Sequence, residues 1–183
     1  LVMSAMNGFE RELRDRLLSV VSHVEFTAVE LDGIADWQNV SNTILKNEQV
    51  LGVAPFIKLN GLLQKGKRLK PIQLRGIDWD AEQVVSDIAR YTSLSIDGAF
   101  NAQDGIVLGA GLAKELGLSV GDTVEFLIPK QNKELTLTAP NMVRLTLVGT
   151  FELGGQLDYG LGYIPLAVAA RESGWNQGVQ GLQ

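Results

Sequence analysis

A run of twenty residues, Gly105–Val124, limits the possible folds of this chain more than any other segment. Its apolar beginning predicts a short strand that leads directly into a helix. Gly117 stands where a left-handed helix C-cap belongs, and Gly121-Asp122 predicts a turn into another strand. Short elements of both kinds in immediate succession predict a mixed fold.

The rest of the chain continues this mixture. Apolar spacing predicts helices over 4–21, 36–47, 79–91 and 167–173, and alternation predicts strands over 24–29, 50–63, 68–77, 123–128 and 142–151. We also expect a hairpin around 64–67, a bulge or an earlier turn at Asn60-Gly61, and a loop over 94–104. This order of elements predicts an α+β fold.

Two elements carry more detailed expectations. In the helix over 79–91, Asp78 or Asp80 is the expected N-cap, and Val84, Val85 and Ile88 are expected to face inward. The strand over 142–151 is expected to alternate throughout, with one face made of Val143, Leu145, Leu147 and Gly149.

The composition argues against several kinds of active site. The chain of 183 residues has 20 glycines, no cysteine and a single histidine, His23. A cysteine nucleophile is therefore excluded, and a zinc or iron–sulfur centre or a serine–histidine triad nearly so. The net charge of −5 argues against a polyanionic ligand such as nucleic acid. We expect no metal site, no cofactor and no catalytic residue.

The remaining polar and glycine-rich candidates have structural explanations. Gly105–Gly111 lacks the Gly-Lys-Ser/Thr ending of a phosphate loop, so its glycines are expected to serve a strand-to-helix turn. Asp158 and Tyr159, in a glycine-rich turn, are the best polar candidates that remain. A freestanding hydrolase built around Asp158 therefore stays open as a hypothesis from another functional class.

A basic cluster surrounds the predicted hairpin. It could contact lipid head groups, or it could discourage edge-to-edge strand pairing. Its members are Lys65, Lys67, Arg68 and Lys70, with Lys58 and Arg75 nearby.

The segment Pro129–Pro140 is longer than an ordinary hairpin loop and joins two strands that are expected to pair. A proline at each end stiffens it, and long polar arms are favoured places for partner contact. It is predicted either to bind a partner or to be a hairpin tip alone.

Both ends of the sequence are typical of an excised piece of a longer protein. The chain begins at Leu1, and its first residues are apolar but far shorter than the ~20 residues of a membrane span. They are expected to be the last turns of such a span. The last residues end where an alternating pattern begins.

Several segments resemble a known family. Ser4–Leu13, which contains Met-Asn-Gly-Phe-Glu-Arg-Glu-Leu, resembles the region after the first transmembrane helix in membrane subunits of bacterial lipoprotein-releasing ABC transporters, the LolC/LolE family. Residues 107–122 are similar to a strand–helix–Gly-Asp pattern that the family shares with MacB-like periplasmic core domains. Residues 128–145, 154–158 and 164–166 are closer to LolE than to LolC.

The resemblance implies a MacB-like periplasmic core with a porter-like α/β part and a β-rich second part. Residues 1–104 are expected to form the porter-like part, with an N-terminal helix that follows the first membrane span. Residues 105–166 are expected to form the β-rich part with a protruding hairpin over 129–140. Residues 167–183 are expected to return toward the porter-like part.

The resemblance also implies a function without enzymatic activity. Such a subunit releases lipoproteins from the inner membrane for transfer to a periplasmic chaperone, LolA, while a cytoplasmic subunit, LolD, hydrolyses ATP. A partner permease subunit belongs to the same complex. The expected location is the periplasmic face of the Gram-negative inner membrane, with the parent protein embedded and this fragment soluble. The alternative is the ectodomain of a MacB-like permease for efflux or signalling.

Two candidate sites follow from the resemblance. In LolC a protruding hairpin recruits the chaperone, whereas the LolE domain is tied to lipoprotein handling. The matching arm here consists of Pro129, Lys130, Gln131, Asn132, Lys133, Glu134, Leu135, Thr136, Leu137 and Pro140. The N-terminal helix is expected to transmit ATP-driven motion from the membrane through Phe9, Leu13 and Leu17.

Overall fold

The structure is a computed structural model that describes residues 2–21, 23–29, 33–93, 99–102, 104–129, 141–173 and 178–183, with the backbone alone at 2–9 and 102. The elements in chain order are α1 (Val2–Val20), β1 (Phe26–Thr27), α2 (Trp37–Ile44), β2 (Pro55–Lys65), β3 (Arg68–Ile77), α3 (Trp79–Val85), a 3-10 turn (Ile88–Tyr91), α4 (Ala99–Ala102), β4 (Gly105–Gly109), α5 (Ala110–Leu116), β5 (Thr123–Ile128), β6 (Asn141–Phe151), α6 (Leu157–Gly160), β7 (Leu161–Pro165), α7 (Leu166–Ser173) and β8 (Gly181–Leu182). The predicted mixed α and β class is confirmed.

The described strands form one sheet, in the order β1-β8-β2-β3-β7-β4-β6-β5. Strand β2 also pairs with β5, through Leu62 with Leu127, Leu63 with Phe126 and Gln64 with Glu125. This pairing closes β2, β3, β7, β4, β6 and β5 into a ring, which we call the six-strand ring. The predicted division of the chain at residues 104 and 166 stays a prediction, and strands from both sides of residue 104 pair in this ring.

The core consists of two buried clusters separated by the sheet. The first cluster collects side chains from all six ring strands, among them Leu63, Leu74, Leu108, Phe126, Leu145 and Ile164. The second joins Val20 of α1 to Val107, Phe151 and Tyr163, with the rings of Phe151 and Tyr163 edge to face at 5.6 Å. Since neighbouring residues of β4 contribute to different clusters, this strand is buried on both faces.

Local sequence rules hold at several positions. Gly117 ends α5 in the left-handed region with φ 67° and ψ 42°, as predicted. The hairpin between β2 and β3 turns through Gly66, which has a φ of +60°. Asp78 caps α3, because its carboxylate accepts hydrogen bonds from the backbone N–H groups of Asp80 and Ala81.

The helix predicted over 79–91 is wrong in length. Helix α3 ends at Val85, and Ser86 is extended with φ −143° and ψ 143°. The Ser86 hydroxyl accepts a hydrogen bond from the Ile88 N–H and so supports a separate 3-10 turn. Val84, which was expected to face inward, is instead 65% exposed.

Other predicted boundaries change as well. The strand predicted over 24–29 is limited to Phe26–Thr27, and β2 begins at Pro55 rather than at residue 50. Part of the loop predicted over 94–104 is the helical turn α4, which packs Phe100 against Trp79 at 5.4 Å between ring centroids.

The alternation predicted along residues 142–151 is correct only up to Leu147. Ile106 pairs with Leu147, but Val107 pairs with Gly149, so Val148 is an additional residue at an irregularity of β6. Beyond it, Phe151 joins the second cluster instead of the first. The shift lets one strand supply both clusters.

Asn60-Gly61 forms neither a bulge nor a turn, since both residues pair in regular register with β3. The glycine instead permits the close approach of β5. A Cβ atom at Gly61 would lie 2.4 Å from the Leu127 carbonyl oxygen and 2.6 Å from Cζ of Phe126.

We predict that Gly61→Ala lowers the free energy of unfolding by about 2 kcal/mol, because β5 must move away from β2 to admit the methyl group. Urea unfolding followed by tryptophan fluorescence measures this loss. Gly160→Ala is the matched control, since a Cβ atom there meets no atom within 4 Å, and it is expected to be neutral or stabilising. Equal stabilities of the two variants would contradict the role of Gly61.

Candidate functional site

Helix α1 lies over the loop between β6 and α6. Cδ2 of Leu13 is 2.9 Å from the position that a Cβ atom of Gly154 would take, and Cδ2 of Leu17 is 3.8 Å from the corresponding position of Gly155. Two of the three residues predicted to couple this helix therefore face the same glycine pair. The side-chain contacts of Phe9 lie outside the described part of the structure.

The loop beneath α1 is held by the carboxylate of Asp158. This side chain is 5% exposed, and its two oxygens accept hydrogen bonds of 2.8 Å each from the N–H groups of Leu153 and Gly154. Both oxygens are thus used to fix the backbone, which is the structural role of a turn residue rather than that of a general acid or base. We call residues 153–158 the clamped loop.

The clamped loop is also tightly packed against the start of α5. A Cβ atom at Gly109 would lie 2.2 Å from the Asp158 carbonyl oxygen, and one at Gly111 would lie 2.6 Å from the Tyr159 ring. The glycines lie at the predicted strand-to-helix turn, and the structure adds that they permit this close packing. A continuous set of contacts therefore runs from α1 through the clamped loop to β4 and α5 at the ring.

The predicted arm over 129–140 begins and ends at neighbouring strand ends. Pro129 is exposed and follows Ile128, which pairs with Asn141 in the antiparallel β5–β6 ladder. The other predicted arm residues, Lys130, Gln131, Asn132, Lys133, Glu134, Leu135, Thr136, Leu137 and Pro140, lie outside the described residues.

Two of the four members of the basic cluster form ion pairs, and a third forms a hydrogen bond. Lys65 is 3.4 Å from Asp122, and Lys70 is 2.6 Å from Glu115. The guanidinium of Arg68 donates to the Glu115 carbonyl oxygen. The backbone N–H of Ser119, together with Lys65, lowers the pKa of Asp122 below its usual value. These pairings favour a structural explanation of the cluster over lipid contact.

Side chains that bind metal ions are not grouped in the part of the chain that the structure describes. Within those residues no three His, Cys, Asp or Glu side chains form a group that could hold a metal ion. His23 is exposed and lies at the rim of a groove of about 600 Å³.

This groove is the main feature that the sequence patterns did not predict. Its walls are largely apolar and come from β1, the end of α2, the segment before β2, α3 and β8, and they include Phe26, Ile44, Leu51, Val84, Val85 and Leu182. A sequence signal for the groove was available in α3, which carries the adjacent apolar residues Val84 and Val85. Val84 stays 65% exposed, and both valines line the groove.

The fold is that of ABC-transporter ectodomains of the MacB type. The extracellular domain of the ABC-type transporter YknZ from Gram-positive bacteria superposes with a TM-score of 0.52 at 14% identity, covering 86% of this chain and 71% of that one. The periplasmic region of MacB from Actinobacillus actinomycetemcomitans gives a TM-score of 0.50 at 16% identity, covering 87% and 64%. At these identities the likeness concerns the fold alone.

Proteins with similar sequences identify a family within this class of ectodomains. The lipoprotein-releasing system transmembrane protein LolE of Haemophilus influenzae is 39% identical over 171 residues, which are 91% of this chain and 41% of that protein. A protein of the same system, LolC of Xylella fastidiosa, is 36% identical over 164 residues, 88% of this chain and 39% of that protein. The predicted relationship to the LolC/LolE family is confirmed over this region, and no protein-family model matches the chain.

The chain spans about two-fifths of the length of the curated relatives it matches. Those relatives are transmembrane proteins of a lipoprotein-releasing system. No helix among the described residues is both long and apolar enough to cross a membrane. The LolC/LolE relationship is favoured over the efflux alternative.

We predict that Asp158→Ala lowers the free energy of unfolding by about 2 kcal/mol, since the N–H groups of Leu153 and Gly154 lose their acceptor. Thermal and urea unfolding measure the loss. Glu152→Ala, an exposed carboxylate next to the clamped loop, is the control and is expected to leave stability nearly unchanged. A normally stable Asp158→Ala variant would reject the structural role of this carboxylate.

Proposed function

We propose that this chain is the periplasmic domain of a permease subunit in an ABC transporter that releases lipoproteins from the inner membrane. Its sequence similarity to LolE and LolC along most of its length carries the proposal. The MacB-type ectodomain fold supports a position outside the membrane, at its periplasmic face. The partners are a lipoprotein, a LolA-like chaperone, a second permease subunit and a LolD-like ATPase that performs the hydrolysis.

In this function α1 is a lever that joins the first membrane span to the domain. Leu13 and Leu17 seat the helix on Gly154 and Gly155, and the Asp158 carboxylate prevents that loop from yielding. Because the clamped loop is fixed, a displacement of α1 moves the loop and the ring together as a rigid body. Phe9, nearer the start of α1, is the third residue proposed to transmit the movement.

We predict that the double variant Leu13→Ala, Leu17→Ala reduces lipoprotein release by the complete transporter several-fold, because the helix loses its seat on the loop. Transfer of a lipoprotein from proteoliposomes to the chaperone measures release, with ATP hydrolysis measured in parallel. Leu18→Ala is the matched control, since Leu18 is on the same helix and 56% exposed. A glycine pair inserted next to Leu13 is a stronger form of the test. Unchanged release by both variants would reject the lever.

The arm over 129–140 is the proposed contact for the lipoprotein or its chaperone. Its flanking strands β5 and β6 belong to the six-strand ring, which provides a firm base for an extension.

We expect photocrosslinking residues at Gln131, Glu134 and Leu137 of the complete transporter to capture the chaperone or the lipoprotein during release, and mass spectrometry of the products distinguishes the two. Val120 is the control position, because it is exposed and lies toward the opposite end of β5. If the three arm positions yield no more product than Val120, the arm is a structural hairpin only.

A further inference from the structure

A buried carboxylate lies behind the apolar groove and is not used by the proposed function. Glu82, on the inner side of α3, is 2% exposed. One of its carboxylate oxygens accepts a hydrogen bond from the side-chain amide of Gln183. Arg75 is linked to Glu82 through this amide, and its positive charge also acts on the carboxylate. Burial removes the carboxylate from water, which penalises its charged form.

Glu82 is the end of a chain of polar contacts that joins five segments. Gln183 accepts a hydrogen bond from the Arg75 guanidinium, and the same guanidinium donates to Glu25 at 2.8 Å. Glu25 also pairs with Lys58 at 2.6 Å. These contacts link α3 to the residue after β8, to β3, to the segment before β1 and to β2. We call this chain of contacts the polar clasp.

One residue of the clasp, Gln183, belongs to a wall of the groove. Gln183 continues β8, and its backbone exchanges two hydrogen bonds with Ala54, at 2.9 and 3.0 Å. Val84 and Val85 of α3 line the groove together with Leu182 and Gln183. A change in the contact between Glu82 and Gln183 therefore acts on the two elements that form this wall.

The charges around Glu82 come from several elements. Burial raises the pKa of Glu82 to about 7. Arg75 on β3, the Gln183 amide and the Ser86 side chain partly oppose this rise, and Glu25 increases it. Partial burial raises the pKa of Glu25, but hydrogen bonds from Lys58 and Arg75 outweigh it and hold the pKa below its usual value. Burial raises the pKa of Tyr163 on β7 further from neutrality. Within this group, Glu82 is the residue whose ionisation falls near neutral pH.

We propose that the polar clasp is a proton-dependent latch, in which protonated Glu82 holds α3 against the end of β8 and ionised Glu82 loosens this wall of the groove. The protonated carboxyl needs no cation and keeps one oxygen to accept from Gln183. The ionised carboxylate needs either water or the Arg75 guanidinium, which is already shared by Gln183 and Glu25. Water can reach the carboxylate only if α3 moves away from the end of β8, and Arg75 can reach it only by giving up a contact with Gln183 or Glu25. Either change breaks the polar clasp.

The direction of the pH effect follows from the two pKa values. In an opened state the exposed carboxyl has its ordinary pKa of 4.5, whereas in the closed state its pKa is about 7. Below pH 4.5 both states are protonated and the contact has its full stability. Between 4.5 and about 7 the opened state loses its proton first, so the contact weakens, and above 7 the loss is complete. Opening is expected to increase on the order of 10- to 100-fold between pH 5 and pH 8.

Two measurements on this chain test the latch. Carboxyl carbon NMR follows the titration of Glu82 directly, and the expected midpoint lies near 7. Amide hydrogen exchange, expressed as protection factors at pH 5 and pH 8, reports opening. In the wild type we expect α3 and β8 to lose protection by the stated factor, while β4 and β6 of the ring change less. In Glu82→Gln, which cannot ionise, the protection of α3 and β8 is expected to be independent of pH.

Glu48→Gln is the matched control, because Glu48 is an exposed carboxylate close to Gln49 and Val50 on another side of the groove. It is expected to keep the pH dependence of the wild type. An ordinary titration midpoint for Glu82, or pH dependence that persists in Glu82→Gln, would overturn the latch. An equal loss of protection in the ring strands and in α3 would also overturn it, since Glu82 would then affect only global stability.

Discussion

The pairing of β2 with β5 is the constraint on which the rest of the structure depends. Without it the sheet would be an open strip, and the side chains of six strands would not converge on one cluster. Gly61 makes the approach possible, because any Cβ atom there meets the Leu127 carbonyl oxygen. The closed ring gives β5 and β6 a fixed position, and with them the base of the proposed arm. It also leaves the outer side of β4 available for a second cluster.

That second cluster determines where α1 can lie. Val20 inserts into it, and the preceding turns of the helix then cover Gly154 and Gly155. The Asp158 carboxylate holds this loop from inside, and Asp158 and Tyr159 press on the glycines that begin α5. The helix nearest the expected membrane span is thus connected to the ring through a series of contacts, which at Gly109 and Gly111 leave no space for a larger residue. A mechanical role for α1 requires such a connection, since a soft seat would dissipate movement.

The sequence predicted the candidate sites unevenly. Leu13 and Leu17 follow from helical periodicity, and Gly117 and Asp78 from capping rules, because each depends on neighbours within a few residues. The break after Val85 was missed, since it depends on a Ser86 hydroxyl that supports the next turn. The exposure of Val84 was also missed, because periodicity identifies an apolar face but not whether another element covers it. Glu82 was not among the candidates, because its hydrogen bond to Gln183 joins residues that are 101 positions apart in the chain.

The sequence alone determined the mixed class, most elements, their local caps and the relationship to the LolC/LolE family. These properties are encoded in short segments, where residue spacing and turn chemistry act directly on the backbone. Only the tertiary structure decided that six strands close into a ring, that Asp158 holds a loop instead of serving chemistry, and that Glu82 is buried in a polar clasp. Each of these depends on contacts between segments far apart in the chain, such as β2 with β5 and α3 with β8, and no local pattern specifies which distant partner completes them.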